Sequence, residues 1–372
     1  MYGYNTRTNK VKKFFVLIIL MAFVSVSSIY IYKMYEKIDV KEYDIQRTSN
    51  VEKIFIENEE NEKTEKTIEE AANCIVGISK VKNTGVSIFN IDSVEDLGLG
   101  SGFIISDNGY IITNWHLVRD KYSSCYVTLV NGETSSGTVV WADKDLDLAI
   151  VKINAKGLDY LTLGNTDNLK LGENVYAIGN PIGVEFQRTV TAGIISGLNR
   201  TIKIEDEFGE SYMEGLIQTD ATINQGNSGG ALINKSGEVI GVNTIKVTTA
   251  EGIGFAVPIN IIKPVIDTFI NNGKFEEAYL GIFAYDKEAV RYVNSDLQLE
   301  TGIYVASITK DGGASKTDLK VGDIITKIDE KNINKMSELR EYIYTKKPGD
   351  EIKLSILRNK KEKEITVNLG KK

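Results

Sequence analysis

Asn224-Gln225-Gly226-Asn227-Ser228-Gly229-Gly230-Ala231-Leu232 sets a serine between an asparagine and paired glycines. A polar turn precedes it and the apolar run Ala231-Leu232-Ile233 follows. Glycines this dense let a backbone turn tightly and approach a ligand closely. Successive N–H groups in such a turn can face one concavity and hold an anion. A hydroxyl placed there can act as a nucleophile beside its own oxyanion hole, built from Gly226, Asn227 and Ser228 with the Gly226 and Ser228 N–H groups as donors. An ordinary glycine-rich loop has the same local composition, so the decision falls to the rest of the chain.

A serine hydroxyl needs a base. The sequence contains 1 histidine, His116, so any imidazole mechanism must use it. It follows a hairpin pattern: Gly102-Phe103-Ile104-Ile105, the turn Ser106-Asp107-Asn108-Gly109, then Tyr110-Ile111-Ile112-Thr113. Asn-Gly between apolar runs is the strongest short hairpin signal. The base in turn needs an orienting carboxylate. Asp147 stands at the start of the apolar run Leu148-Ala149-Ile150-Val151, where an acid is poorly solvated unless paired. Asp143 and Asp145 read as loop acids. The order His, Asp, Ser is that of chymotrypsin, not of subtilisin or the α/β-hydrolases.

Several further segments extend the pattern. They include Gly100-Ser101-Gly102-Phe103-Ile104-Ile105, Thr113-Asn114-Trp115-His116, Ala177-Ile178-Gly179-Asn180-Pro181, Gln218-Thr219-Asp220-Ala221 and Gly252-Ile253-Gly254-Phe255-Ala256-Val257-Pro258. In this order, from about residue 70 onward, they resemble the HtrA (DegP-type) serine proteases. The resemblance implies a catalytic triad on His116, Asp147 and Ser228, with His116 and Asp147 on one antiparallel β-barrel and Ser228 on a second. Ala231 departs from the family by standing where proline is usual, and Trp115 fills a variable place. The expected fold class is mainly β: a chymotrypsin-like double β-barrel protease domain over 68–272, then a PDZ domain over 278–372.

In chymotrypsin-like folds the residue six before the serine lines the floor of the specificity pocket; here it is Thr222, not an acid, which argues against cleavage after Lys or Arg. Thr244, Ile245, Gly254 and Phe255 are the expected pocket walls. Family resemblance implies a preference for small or medium aliphatic residues in unfolded protein. In the C-terminal region, Tyr279-Leu280-Gly281-Ile282 matches the PDZ carboxylate-binding loop, and Met336 to Thr345 is the expected groove-flanking helix. PDZ domains take an extended peptide as an added strand, with its C-terminal carboxylate held by loop N–H groups. Asp318 sits where glycine is common in the family, which puts that local turn in question.

The remaining segments set the context. Residues 1–13 are basic, and Phe14 to Tyr32 carries no charge. As a helix that run rises roughly 28 Å, close to the hydrocarbon thickness of a bilayer. It reads as a transmembrane signal-anchor over 14–32, with a cytoplasmic N-terminus and everything after it extracytoplasmic. Ser25-Val26-Ser27-Ser28 would alternatively suit cleavage of a signal peptide. Residues 33–67, rich in Glu, Lys, Asn and Thr, read as a charged, flexible linker. Asn83 to Leu99 and Ile202 to Gly215 read as mobile loops, and Ile259 to Asn271 as an amphipathic helix closed by Asn272-Gly273.

Composition excludes some classes. The net charge of −7 argues against nucleic-acid binding. Cys74 and Cys125 make no disulfide framework, and with one histidine they cannot complete a four-ligand zinc site. No metal or organic cofactor is implied. The resemblance implies a homotrimer that acts on unfolded or misfolded proteins, with peptide C-termini at the PDZ groove. Two other functions fit the same motifs: a peptide-binding adaptor or chaperone with little proteolysis, and a processing protease of narrow specificity.

Overall fold

The computed structural model describes residues 7–36, 62–80, 100–180, 188–206, 209–224, 226–246, 252–294 and 296–372. The loop expected over Asn83 to Leu99 lies outside the described residues. The chain divides into two units, Met1–Glu60 and Asn61–Lys372. Among its described residues the first contains one helix, α1 (Arg7–Glu36). Its stretch Lys12–Lys33 is long and apolar enough to cross a membrane. The three serines in it return their hydroxyls to the helix's own carbonyls, Ser25 to Met21, Ser27 to Phe23 and Ser28 to Val24, at 2.7–2.8 Å. Such internal pairing lets a hydroxyl sit in an apolar medium.

The second unit opens with a helix, α2 (62–73), which starts inside the stretch expected to be flexible linker. Its sequence is charged but not apolar-poor on every face: Ala71 and Ala72 are buried, and Ile68 packs against the same core. That stripe is too short to stand out from composition alone. It leads into β1 (Ile75–Ser79), which closes a barrel with β2 (Gly100–Ile104) and β3 (Tyr110–Thr113); then come α3 (Trp115–Val118), β4 (Ser124–Thr128), β5 (Thr134–Asp143) and β6 (Leu148–Ile153). The closed order is β1-β2-β3-β6-β5-β4. The β2–β3 hairpin forms at the Asn-Gly signal, with Gly109 at φ 92° and its N–H donating to the Ser106 carbonyl at 3.1 Å. Phe103, Ile111, Ile112 and Ile150 are fully buried.

A second closed barrel runs β7 (Asn174–Gly179), β8 (Thr189–Asp206), β9 (Gly209–Thr219), β10 (Ala231–Asn234), β11 (Val239–Lys246) and β12 (Gly254–Pro258), in the order β10-β11-β12-β9-β8-β7. Where a mobile loop was expected at Ile202 to Gly215, β8 and β9 continue as a paired ribbon, with Ile202 opposite Met213 and Glu205 opposite Glu210. The polar composition there belongs to a paired ribbon, not to a missing ladder. Phe208 lies outside the described residues. A 3₁₀ turn (Ile259–Ile261) and α4 (Lys263–Asn272) follow, and α4 ends at Gly273 in the left-handed region. Val265, Ile266 and Phe269 form its buried face. Cys74 and Cys125 are separate, buried, free thiols.

The C-terminal part comprises β13 (Ala278–Tyr279), β14 (Ile282–Tyr285), α5 (Lys287–Val293), β15 (Ile303–Ile308), β16 (Ile324–Ile328), β17 (Lys331–Asn332), α6 (Met336–Tyr344), β18 (Glu351–Arg358), β19 (Lys361–Asn368) and β20 (Gly370–Lys371). Its main sheet has the order β14-β15-β16-β18-β19, with β17 on β16. The turn at Asp318 is anchored by charge, since Arg358 and Lys363 both pair with its carboxylate. This part docks on the barrels. The Tyr344 ring meets Trp141 and Phe275 edge-on, and Tyr212 of β9 stacks on Tyr292. Asp143, 1% exposed, accepts from Tyr344 at 2.8 Å and pairs with Arg340 at 3.3 Å.

Candidate active site

Strand β3 ends at Thr113 and delivers His116 into α3. Asn114, fully buried, uses its side-chain amide to hold the Asp147 carbonyl at 2.9 Å, and the Trp115 N–H holds the same carbonyl at 3.1 Å. Asp147 closes the turn between β5 and β6 at φ 52°, a backbone region that non-glycine residues seldom adopt. That conformation swings its carboxylate back over α3. The His116 backbone N–H donates to Oδ1 at 2.9 Å, and the ring Nδ1 lies 2.8 Å from Oδ2. The Thr244 hydroxyl donates to the same Oδ2 at 2.7 Å. The carboxylate is therefore fixed by three donors, and it holds the imidazole with Nδ1 inward and Nε2 outward. His116 is half-exposed, its side chain 42% accessible against 14% for Asp147.

Ser228 sits on the turn that enters β10. Gly226 and Gly229 take φ 103° and 81°. At Gly229 an added Cβ would lie 2.2 Å from the Ser101 carbonyl oxygen, so only glycine fits the approach of this turn to the first barrel. The turn is held by Asn227 N–H to Asn224 O at 3.0 Å, Gly229 N–H to Asn243 O at 2.8 Å and Gly230 N–H to Asn227 O at 2.9 Å. Among the described residues neither the Gly226 nor the Ser228 N–H is engaged in an internal hydrogen bond. The Ser228 hydroxyl donates to the Thr244 carbonyl at 3.2 Å. Thr244 thus touches both sides of the site: its hydroxyl meets the Asp147 carboxylate and its carbonyl meets the serine. Through this one residue Asp147, which holds His116, is connected to Ser228.

Thr222 is exposed, and its carbonyl accepts from Asn227 and Thr191. Phe255 is 5% exposed, and a Cβ at Gly254 would meet the Ile223 side chain at 2.5 Å. Thr244, expected as a pocket wall, is buried and spends its hydroxyl on Asp147. The side chain of Ile245 lies outside the described residues. In the C-terminal part, Gly281 takes φ 78° and packs against Gly312, the Leu280 carbonyl accepts from Ala314, and Tyr279 receives the Thr309 hydroxyl at 3.2 Å. Ile282 begins β14, which stands at one end of the strand order of its sheet.

Sequence reasoning named Thr244 only as a pocket wall, not as a hydroxyl partner of Asp147, and it passed over Ser101 as a site residue. Ser101 lay inside the motif Gly100-Ser101-Gly102 as a small residue among glycines, yet it is fully buried against the Ser228 turn, with its N–H on the Ser228 carbonyl at 2.8 Å. A serine where an apolar strand would accept glycine or alanine was the available signal.

Comparison with known proteins places these features. A trypsin-like peptidase domain matches residues 100–242, and a PDZ domain matches residues 278–369. The Serine protease Do-like HtrB of Bacillus subtilis is 39% identical over 322 residues, covering 82% of this chain and 70% of that protein. The Serine protease Do-like HtrA of the same organism is 38% identical over 338 residues, covering 85% and 74%. Among solved structures, the HtrA-type protease AlgW with tripeptide superposes with a TM-score of 0.60 at 32% identity, covering 83% of this chain and 97% of that one. The serine endoprotease from Yersinia pestis superposes with a TM-score of 0.56 at 32% identity, covering 83% and 98%.

Proposed function

The chain belongs to the HtrA (Do-like) serine protease family, and on that premise we propose that it is a membrane-anchored, extracytoplasmic endopeptidase of protein quality control that cleaves misfolded proteins with Ser228, His116 and Asp147. That it is a serine endopeptidase follows from the trypsin-like peptidase domain and the relatives named above. The residue roles rest on one observation above all: Thr244 joins the Asp147–His116 pair of the first barrel to the Ser228 hydroxyl of the second.

The mechanism proposed is the general Ser-His-Asp one. The Ser228 hydroxyl turns from the Thr244 carbonyl onto His116 Nε2. Its oxygen attacks the scissile carbonyl carbon while the proton passes to Nε2. The carbonyl oxygen becomes an oxyanion and takes the Gly226 and Ser228 N–H groups as donors. The C–N bond then breaks, and His116 hands its proton to the departing amine. Water, deprotonated by the same imidazole, attacks the acyl-enzyme; the C–Oγ bond breaks and the serine is regenerated. Asp147 keeps Nδ1 protonated and stabilises the imidazolium. Thr222 in place of an acid argues against Lys or Arg before the cleaved bond, and small or medium aliphatic residues there are what the family resemblance implies.

The remaining parts of the proposal have separate support. The apolar helix Lys12–Lys33, flanked on its N-terminal side by basic residues, supports an anchor over 14–32 with the protease outside. A relative in Halomonas elongata, 37% identical, is described as a probable periplasmic serine endoprotease, in keeping with that side of the membrane. The open strand β14 beside the Gly281 turn supports capture of peptide C-termini at Tyr279, Leu280, Gly281 and Ile282. The homotrimer, the charged linker and the division into a protease domain over 68–272 and a PDZ domain over 278–372 are part of the same proposal.

Degradation of unfolded casein by the purified protein tests it. The wild type should cleave at many sites, and Ser228→Ala should be inert while still binding C-terminal peptides. Cleavage at a single motif in a mixed denatured proteome would turn the reading to a processing protease. Peptide binding without cleavage by the wild type would turn it to an adaptor.

A further inference from the structure

An oxyanion hole is only as good as the peptide planes that aim its donors. The Ser228 N–H belongs to the peptide between Asn227 and Ser228. The planes on either side of it are the Gly226–Asn227 peptide and the Ser228–Gly229 peptide. Glycine at φ 103° before the serine and φ 81° after it puts no intrinsic restraint on either plane. Something outside the turn must hold them.

Ser101 of β2 contacts both. Its hydroxyl donates to the Gly226 carbonyl, and its backbone N–H donates to the Ser228 carbonyl at 2.8 Å. The same hydroxyl oxygen accepts the Asn180 N–H at 2.6 Å, and the Ser101 carbonyl accepts the Thr113 hydroxyl at 2.6 Å. Ser101 is fully buried, so no water competes for these bonds. Opposing donors complete the restraint, with Asn227 N–H on Asn224 O and Gly229 N–H on Asn243 O. Both planes are pinned from both ends. The surroundings leave no slack: a Cβ at Gly179 would lie 2.6 Å from the Asn227 Cα, and one at Gly230 would lie 2.1 Å from the Ile178 carbonyl.

From this geometry we infer that Ser101 is a positioning residue for the oxyanion hole, a strut from the first barrel whose hydroxyl holds the Gly226–Asn227 peptide and thereby aims the Ser228 donor that follows it. The inference rests on the reading of Ser228 as the nucleophile. Its physical content is specific. A hydroxyl that only stabilised the barrels would affect ground state and transition state alike. A hydroxyl that aims the hole acts where charge develops on the carbonyl oxygen, because preorganised donors are worth most there.

Losing one direct oxyanion donor typically costs ~10²–10³ in rate. Losing a support that aims the donors should cost less, roughly tenfold or somewhat more in kcat, with KM little changed. Ser101→Ala keeps the backbone N–H bond to Ser228 and deletes only the hydroxyl. The test measures kcat and KM of the full-length protein on an extended chromogenic peptide, corrected by active-site titration. Alongside it goes the affinity of a peptidyl aldehyde, whose adduct oxygen occupies the hole, compared with that of the carboxylate product peptide. Ser101→Ala should lose kcat and aldehyde affinity together, by similar factors, and leave product binding unchanged. Ser101→Cys, close in volume but a weak donor, should fall between, and it decides the matter if the alanine variant does not fold. Per-molecule kcat and aldehyde affinity equal to wild type in either folded variant, or loss of folded protein in both, would assign Ser101 to stability and overturn the inference. Failure of the underlying reading shows elsewhere, as wild-type protein whose aldehyde adduct does not form at Ser228.

Discussion

The Thr244 hydroxyl donates to Asp147 Oδ2 at 2.7 Å, so a strand of the second barrel holds the acid of the first. A bond to a charged acceptor contributes about 1.5–3 kcal/mol. Thr244→Val keeps the shape and removes the donor. It should lower kcat roughly tenfold, since the carboxylate loses one of the contacts that aims the imidazole, and leave KM within about twofold. Steady-state kinetics on a peptide substrate measure both.

Asp143 stands at the end of β5, on the turn that carries Asp147, and meets Arg340 of α6 at 3.3 Å. Burial opposes its charge, but Arg340, Lys372 and the Tyr344 hydroxyl outweigh that and hold the carboxyl below the usual carboxylate range. A group depressed in this way contributes stability above the ordinary Asp pKa near 3.9, lost only as pH falls through and below it. Docking of the C-terminal part should thus be insensitive to Asp143 between pH 5 and 8. Arg340→Ala leaves a buried carboxylate short of its strongest partner and should destabilise by about 3–5 kcal/mol. Differential scanning calorimetry should show the C-terminal part melting ahead of the barrels.

Glu214 of β9 faces the opposite way in pH. Burial, and then the neighbouring Asp286 carboxylate, push it up to about 8. Its carboxylate lies 3.5 Å from the Asp286 backbone N–H at the start of α5. The folded state therefore keeps a proton that the unfolded state releases near 4.3. Its stabilising contribution is complete below that value and is lost as pH rises toward 8. Hydrogen exchange of α5 should quicken between about pH 5 and 8, after correction for intrinsic rates, and level off above that. Glu214→Gln should abolish the change.

At Gly229 the backbone geometry forbids a side chain. Gly229→Ala meets both a positive φ and the Ser101 carbonyl, and the turn must distort to accept it. Peptidase activity should fall at least tenfold while C-terminal peptide binding persists, as isothermal calorimetry with a short peptide would register.

These residues also show what a linear chain reveals. Ser228, His116 and Asp147 stood out because each sits in a short motif whose chemistry demands that residue type, and the sole histidine left no choice. The Gly109 hairpin and the Gly273 helix end were legible because backbone dihedrals there need glycine or its neighbours. The α2 helix was not, since its apolar stripe is only Ile68, Ala71 and Ala72 within a charged run. The β8–β9 ribbon was read as a loop because a ladder such as Ile202 opposite Met213 is made by backbone groups, which composition does not record. Contacts such as Asp143–Arg340, Thr244–Asp147 and Ser101–Gly226 join residues far apart in sequence. Nothing local in either partner announces the other.

The central claim, that the Ser228 hydroxyl is the nucleophile and His116 its base, is tested most directly by treating the wild-type protein with a fluorophosphonate and mapping the adduct by mass spectrometry. The account predicts a single adduct on Ser228, abolished in His116→Ala with the fold intact. An adduct on another residue, or labelling of Ser228 that proceeds at the wild-type rate without His116, would contradict it.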